Sequence, residues 1–200
     1  MAASDPDRFP RGAALLDLIL ARIIDGDPGE LDNDHRRPIN PAVLAELRFP
    51  DGTPLPPSLR RWLAFDATRL SEMIEDPDQP AFRGGTLAQF VAWTYAGHPQ
   101  FRCNPDPAGL LAALERSPVT GKLWMISWGD ADRVACYVGH PDEHGEYPVV
   151  RVTDGGFSVR LEAPGFDAYL AQIGYLSHEA SSDFPASMRD QQRRHPELGR

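Results

Sequence analysis

The segment His140-Pro141-Asp142-Glu143-His144 is the densest group of side chains that could do chemistry, with four potential metal ligands in five residues. Two histidines four residues apart bind a metal when a helix presents both imidazoles on one face. Pro141 lies between the two histidines and disfavours a helix there, so the two imidazoles are not expected to lie on one helix face. We therefore interpret the segment as a solvated hairpin loop and predict no metal site.

Other spacings that indicate catalysis are missing from the sequence. No Gly-x-Ser-x-Gly elbow is present, and Gly84-Gly85-Thr86 lacks the Gly-x-x-x-x-Gly-Lys pattern of a phosphate-binding loop. Cys103 lies in a predicted turn, and Cys136 lies on a predicted strand, where it behaves as a small apolar residue. We predict a protein that is not an enzyme and that needs no cofactor.

Acidic side chains dominate the stretch from Leu123 to Leu176, which contains eight acids and three bases. Most of these acids fall in predicted strand connections, where loops on a rigid scaffold present binding residues. The negative electrostatic field of such a group of acids increases the rate at which a basic partner docks. The alternative is that turns favour Asp and that solvent favours carboxylates. The candidate partner-binding acids are Asp130, Asp132, Asp142, Glu143, Glu146 and Asp154.

Two aromatic residues, Trp128 and Tyr147, flank these connections. Large aromatic side chains are the commonest hot spots of protein interfaces. Trp128 fits a core position as well as an interface. Tyr147 stands beside Pro148 in a polar loop, which favours an interface. We include both residues in the predicted partner-binding set.

The overall charge limits the class of partner. The chain has 29 acids and 20 bases, a formal charge of −9, and Lys122 is its one lysine. Nucleic-acid binding requires clustered Lys and Arg, so a basic protein is the better expectation. Two cysteines far apart exclude a disulfide framework. No apolar run approaches the roughly 20 residues that span a bilayer, and we expect a cytoplasmic protein that binds no membrane.

The elements that must position these residues begin with helices. Leu16, Ile19, Leu20, Ile23 and Ile24 have the spacing of an amphipathic helix. Asn40 followed by Pro41 is typical of a helix start. Caps and apolar spacing predict further helices over 41–47, 58–63, 87–95 and 107–114.

After Gly121 the apolar period changes from 3.6 to 2, which predicts strands with one buried face. The alternating sets are Trp124, Ile126 and Trp128; Val134, Cys136 and Val138; and Phe157, Val159 and Leu161, with Val149, Val150 and Val152 in an additional strand between the last two sets. Short connections at 129–132 and 154–156 predict two antiparallel hairpins. A closing helix starts at Pro164, with Phe166, Tyr169, Leu170 and Ile173 as its apolar stripe.

These elements predict one α+β domain, an antiparallel sheet of about four strands with helices packed on one face. Residues 1–11 are predicted to form a flexible arm, 12–176 the domain, and 177–200 a polar C-terminal tail. The oligomeric state stays open.

Two stretches resemble the SUKH superfamily. Leu55-Pro56-Pro57-Ser58-Leu59-Arg60-Arg61-Trp62-Leu63 is similar to the family's Leu-Pro segment and early helix, and Leu123 to Leu170 is similar to its strand block with a closing Phe-x-x-Tyr-Leu helix. The likeness covers residues 40 to 176. It departs from the pattern at Gly84-Gly85, which follows the early helix about twenty residues later than the family's glycine-rich turn.

Many bacterial members of that superfamily are immunity proteins that neutralise a toxin, often a nuclease. The resemblance therefore implies an inhibitor that binds a cognate toxin through its acidic loops. The alternative function is a regulatory or scaffold domain that binds a resident cellular protein.

Overall fold

A computed structural model describes residues 6–25, 36–49, 51–67, 118–128, 132–153, 158–175 and 181–198, together with Gly109, Ala112 and Arg116. Its helices are α1 (Ala13–Asp25), α2 (Pro41–Glu46), α3 (Pro57–Leu63), α4 (Phe166–Leu170) and α5 (Pro185–Arg194). Its strands are β1 (Leu123–Trp128), β2 (Asp132–Tyr137), β3 (Val149–Thr153) and β4 (Ser158–Ala163). A π turn, Ala171–Tyr175, follows α4.

The four strands form one antiparallel sheet in the order β1-β2-β3-β4, which confirms the predicted α+β class. In such a meander the chain reverses at alternate ends of the sheet. Trp128, Asp132, Thr153 and Ser158 lie at one end, where Asp132 pairs with Thr153 and Trp128 with Arg133. We call this the hairpin end. The opposite end carries the connection of residues 138–148 between β2 and β3, and we call it the loop end.

The main core lies between one face of the sheet and helices α1, α3 and α4. Leu16 and Ile19 of α1 are fully buried there, as the predicted stripe requires. Two members of the predicted stripes are exposed instead. Ile24, in the last turn of α1, has 60% of its surface exposed. Ile173 is 55% exposed because it lies in the π turn, where the 3.6-residue spacing of the stripe no longer holds.

The second face of the sheet is also covered, so the expectation of one buried face per strand is wrong. A second apolar cluster contains Ala135, Tyr137, Val150 and Leu161, and Leu198 closes it from the C-terminal segment. The alternation in the sequence reflects two cores rather than one core and solvent. Consecutive residues of a strand point to opposite faces, which places Val149 in the main cluster and Val150 in the second one.

The segments expected to be a flexible arm and a polar tail bind each other. The Asp7 carboxylate accepts hydrogen bonds from the N–H groups of Ala186 (2.8 Å) and Ser187 (3.1 Å). The Arg8 N–H donates to the Asp183 carbonyl at 2.9 Å. Within the described residues the expected arm is held by these contacts, and the polar C-terminal tail, whose order the sequence leaves open, contains the helix α5. We call residues 6–12 and 181–187 the terminal clasp.

Two predicted helices fall largely outside the described residues. The helix expected over 87–95 lies outside them entirely, as do Gly84-Gly85-Thr86 and Cys103. Of the helix expected over 107–114, Gly109 and Ala112 are described, and both are helical.

Asp7 acts as an N-cap for α5 from the other end of the chain. We expect Asp7→Ala to lower the free energy of unfolding by about 1 kcal/mol, because the first turn of α5 loses its side-chain acceptor. Urea denaturation followed by circular dichroism measures the change. Asp17→Ala is the control, since Asp17 pairs with Arg61 and both side chains are at least half exposed; its loss should stay below about 0.5 kcal/mol. Equal losses in the two variants would contradict the capping role.

Candidate functional site: a buried ionic cluster

A cluster of charged and polar side chains is buried at the loop end of the sheet. Its five members come from four segments of the chain, and each is less than a tenth exposed. They are Arg11, Ser58, Asp142, Glu146 and Asp167. We call this group the ionic cluster.

Arg11 binds two carboxylates. Its Nε and Nη2 donate to the two oxygens of Asp167 at 2.8 and 3.2 Å, and Nη2 also donates to Asp142 Oδ2 at 3.2 Å. The two-point contact with Asp167 is the geometry that guanidinium and carboxylate groups favour. Burial alone would lower the pKa of Arg11, but the charges of Asp167 and Asp142 outweigh burial and raise it. Arg11 therefore stays charged inside the protein.

Asp142 shapes the connection that contains it. Its Oδ1 accepts hydrogen bonds from the N–H groups of His144 (2.8 Å) and Glu146 (2.9 Å). Between them, Gly145 has a φ of +78°, a backbone conformation that side chains disfavour. The connection is thus folded around the Asp142 carboxylate, which explains why this side chain points inward.

The other two carboxylates cap helices from a distance. Asp167 Oδ2 accepts from the N–H of Gly12 at 2.5 Å, directly before α1. Glu146 accepts from Ser58 twice, from its N–H at 2.9 Å and from its hydroxyl at 2.5 Å, at the start of α3. Pro56 occupies the usual capping position of α3 and makes no side-chain hydrogen bond. Glu146 therefore satisfies an N–H group that the helix leaves unpaired.

Glu146 is the member of the cluster whose protonation is most perturbed. Burial first, and then the negative charge of Asp167, raise the pKa of Glu146 to about 8. The two hydrogen bonds from Ser58 and the charge of Arg11 act in the opposite direction but do not outweigh them. Below this pH the Glu146 side chain is uncharged and can donate its proton to the Ser58 hydroxyl. The Glu146 carboxyl group can thus hold and release a proton within the cluster.

Gly165 is required by how closely α4 approaches the cluster. A Cβ at this position would lie 2.5 Å from Asp167 Oδ1, 2.7 Å from Arg11 Nη2 and 2.8 Å from Glu146 Cβ. These distances are shorter than van der Waals contact, so any larger residue would separate the groups. The cluster leaves no room beside its charges for another side chain.

The predicted partner-binding residues are not brought together. Asp142, Glu146 and Tyr147 are buried at the loop end, and the expectation that they face a partner is wrong for these three. The Tyr147 ring packs edge-on against Phe49 with ring centroids 6.3 Å apart. Glu143 is the exposed acid of that connection, with 80% of its side chain accessible.

The remaining predicted residues belong to the opposite end. The backbones of Trp128 and Asp132 lie at the hairpin end, whereas Asp130, Asp154 and the side chains of Trp128 and Asp132 lie outside the described part of the chain. Strands of five or six residues separate the two ends by roughly 15–20 Å. One continuous acidic surface containing all eight predicted residues is therefore not formed.

Sequence reasoning overlooked Arg11, Ser58 and Asp167 as members of a site. Arg11 is remote in sequence from both of its carboxylates, and the cap on α3 comes from 88 residues away. One signal was available. Glycines stand close to three of the charged members, at Gly12, Gly145 and Gly165, and isolated glycines often mark a close approach or an unusual backbone angle.

Two further structural findings concern sites and membranes. Among the described residues, no three His, Cys, Asp or Glu side chains are grouped in a way that could hold a metal ion. Within the same residues, no helix has the length and apolar character needed to cross a bilayer.

Comparison with known proteins gives a likeness of fold. A crystal structure of an uncharacterized protein from Salmonella enterica subsp. enterica serovar typhimurium str. 14028s is similar to this chain, with a TM-score of 0.59 and 18% sequence identity. The match covers 92% of this chain and 91% of that chain. At this identity the likeness shows a shared fold alone. No family model matches the sequence, and no curated protein matches it significantly.

The pairing of Arg11 with Asp167 and Asp142 yields a direct test. We expect Arg11→Met to lower the free energy of unfolding by about 3–5 kcal/mol, because it leaves buried carboxylates without a positive charge. Thermal and urea denaturation at pH 7 measure the loss. Arg61→Met is the control, since Arg61 pairs with Asp17 and both side chains are at least half exposed, and it should lose less than about 1 kcal/mol. A small loss in Arg11→Met would mean that the cluster contributes little to stability.

Proposed function

We propose that this chain is a protein-binding domain of the immunity type, which acts in the cytoplasm and neutralises a basic cognate toxin through the hairpin end of its sheet. The observation that carries the proposal is the pairing of Asp132 with Thr153. Asp130 precedes Asp132 by two residues, and Asp154 directly follows Thr153. The register thus supports a grouping of three acids at one end of a rigid sheet.

The charge of this end favours a basic partner. The chain carries a net charge of −9, and acids grouped on a rigid scaffold raise the rate at which an oppositely charged protein docks. Arg133 is the one base between residues 128 and 134 and offsets part of the local charge. Trp128, at the end of β1, is the aromatic residue of this group and the candidate hot spot.

The class of partner comes from the SUKH resemblance of residues 40–176, whose bacterial members commonly neutralise toxins. Nothing in the proposal requires a catalytic group, a cofactor or a metal. The ionic cluster belongs to the architecture of the domain, because its members are enclosed. Contact with the partner is assigned to the residues at the hairpin end.

The partner is identified first by affinity capture from the native host, with the purified protein as bait, at low and high salt. Recovery of one basic, toxin-like protein whose capture weakens with salt supports the proposal. Recovery of resident housekeeping proteins in its place would favour a regulatory or scaffold domain.

Charge reversal then tests the hairpin end. We expect Asp130→Lys with Asp154→Lys to slow association with the captured toxin by at least about tenfold at low salt, because steering is lost. Surface plasmon resonance measures the association rate, and circular dichroism verifies folding. Glu46→Lys with Glu143→Lys is the matched control, with the same change of charge at two exposed positions elsewhere. If both double variants slow association equally, the overall charge and not the hairpin end directs binding.

A further inference from the structure

The ionic cluster contains more negative than positive charge. Arg11 contacts Asp167 and Asp142 directly, so one guanidinium already serves two carboxylates. Glu146 is held by Ser58 alone among the side chains whose contacts are described. If Glu146 ionised in the closed structure, three buried carboxylates would share one cation. Burying a charge without its counter-charge is costly, and an uncharged Glu146 avoids that cost.

The terminal clasp and its neighbours cover Glu146. A Cβ on Gly12 would lie 3.9 Å from Glu146 Oε1, which places the N-terminal segment against the carboxyl group. From α5, the Gln191 amide donates to the Glu146 carbonyl at 3.3 Å and to the Pro164 carbonyl at 2.8 Å. Glu146 is fully buried, so water reaches its carboxyl group only when part of these surroundings moves away.

The clasp is tied to the domain by polar contacts and by two aromatic rings, since Phe9 packs against the main core and Phe184 is fully buried in it. Residues 6–12 are held through Arg11 and Gly12, which bind the cluster, and through Asp7 and Arg8, which bind the segment around α5. Segments that lie outside the sheet, as both parts of the clasp do, can open locally at lower free energy than the central strands.

We propose that the terminal clasp is linked to a proton: it closes over an uncharged Glu146, and its opening releases one proton from this side chain to solvent. The groups that face Glu146 are Arg11 from the N-terminal segment, Ser58 from α3, Asp142 from its own connection, Asp167 from α4 and Cys136 from β2. Burial raises the pKa of Cys136, so this thiol stays neutral across the range in which Glu146 acts.

The direction of the effect follows from the two states. The pKa of Glu146 is about 8 when the clasp is closed and returns to the ordinary value, about 4.3, when water reaches the side chain. A raised pKa in the closed state stabilises closure fully below pH 4.3, and this stabilisation is lost as the pH rises toward 8. Between these limits, each increase of one pH unit raises the equilibrium constant for opening by about tenfold. The increase levels off above pH 8.

Amide hydrogen exchange of the intact protein tests the proposal. The reporters are the N–H groups of Arg8, Ala186 and Ser187, which are bonded within the clasp, and that of Gly12, which the clasp donates to Asp167. After division by the intrinsic exchange rate, their opening constant should rise about tenfold per pH unit between pH 5 and 8. It should exceed the opening constant of the central strands β2 and β3.

Two variants at neighbouring positions separate Glu146 from other titrating groups. Glu146→Gln mimics the uncharged carboxyl group and should remove this slope, whereas Glu143→Gln, an exposed neighbour, should keep it. Persistence of the full slope in Glu146→Gln would overturn the proposal. So would clasp amides that share the opening constant of the central strands at every pH, because opening would then be unfolding of the whole domain.

A third variant keeps the test decisive if Glu146→Gln does not fold. Ser58→Ala removes a hydroxyl donor that favours the ionised carboxylate, so the pH at which the opening constant levels off should rise. Carbon-13 NMR of labelled glutamate provides the direct readout. One carboxyl resonance should titrate near pH 8 in the unmodified chain and at higher pH in Ser58→Ala. A glutamate spectrum with no resonance titrating above pH 6 would refute the proton link.

Discussion

The contact between the Arg11 guanidinium and the carboxylates around it is the interaction on which the loop end of the sheet depends. Those carboxylates also bind backbone N–H groups: Asp167 at the start of α1, and Asp142 inside the connection between β2 and β3. Glu146 does the same at the start of α3. A single positive charge thus serves the two carboxylates that it contacts, and together with Glu146 these groups orient two helices and a loop at once.

This arrangement divides the sheet into ends with different roles. At the loop end, several acidic side chains face inward. They accept hydrogen bonds from backbone N–H groups at the starts of helices and in the terminal clasp. At the hairpin end, the strand termini around Asp132 and Thr153 adjoin acids that the cluster does not use. An acidic sequence therefore does not amount to an acidic surface, because the location of each carboxylate decides whether its charge is available to a partner.

Local patterns predicted the local structure well. The cap at Asn40, the stripe of α1 and the period-2 strands are decided by residues within a few positions of one another, and the structure contains all of them. The burial of Asp142 and Glu146 was mispredicted, because it depends on partners tens of residues away. Tyr147 was misassigned for the same reason, since its core contact with Phe49 joins separate parts of the chain. The SUKH resemblance stays a prediction.

The clasp also has a consequence for how the protein comes to be folded during synthesis. Residues 7 and 8 leave the ribosome long before the groups that bind them, which are at positions 183 to 187. Closing a loop of that length is slow relative to forming the sheet and its local helices. The contacts of residues 7 and 8 must therefore wait until almost all of the described chain has emerged, and the terminal clasp is among the last parts of the domain to assemble.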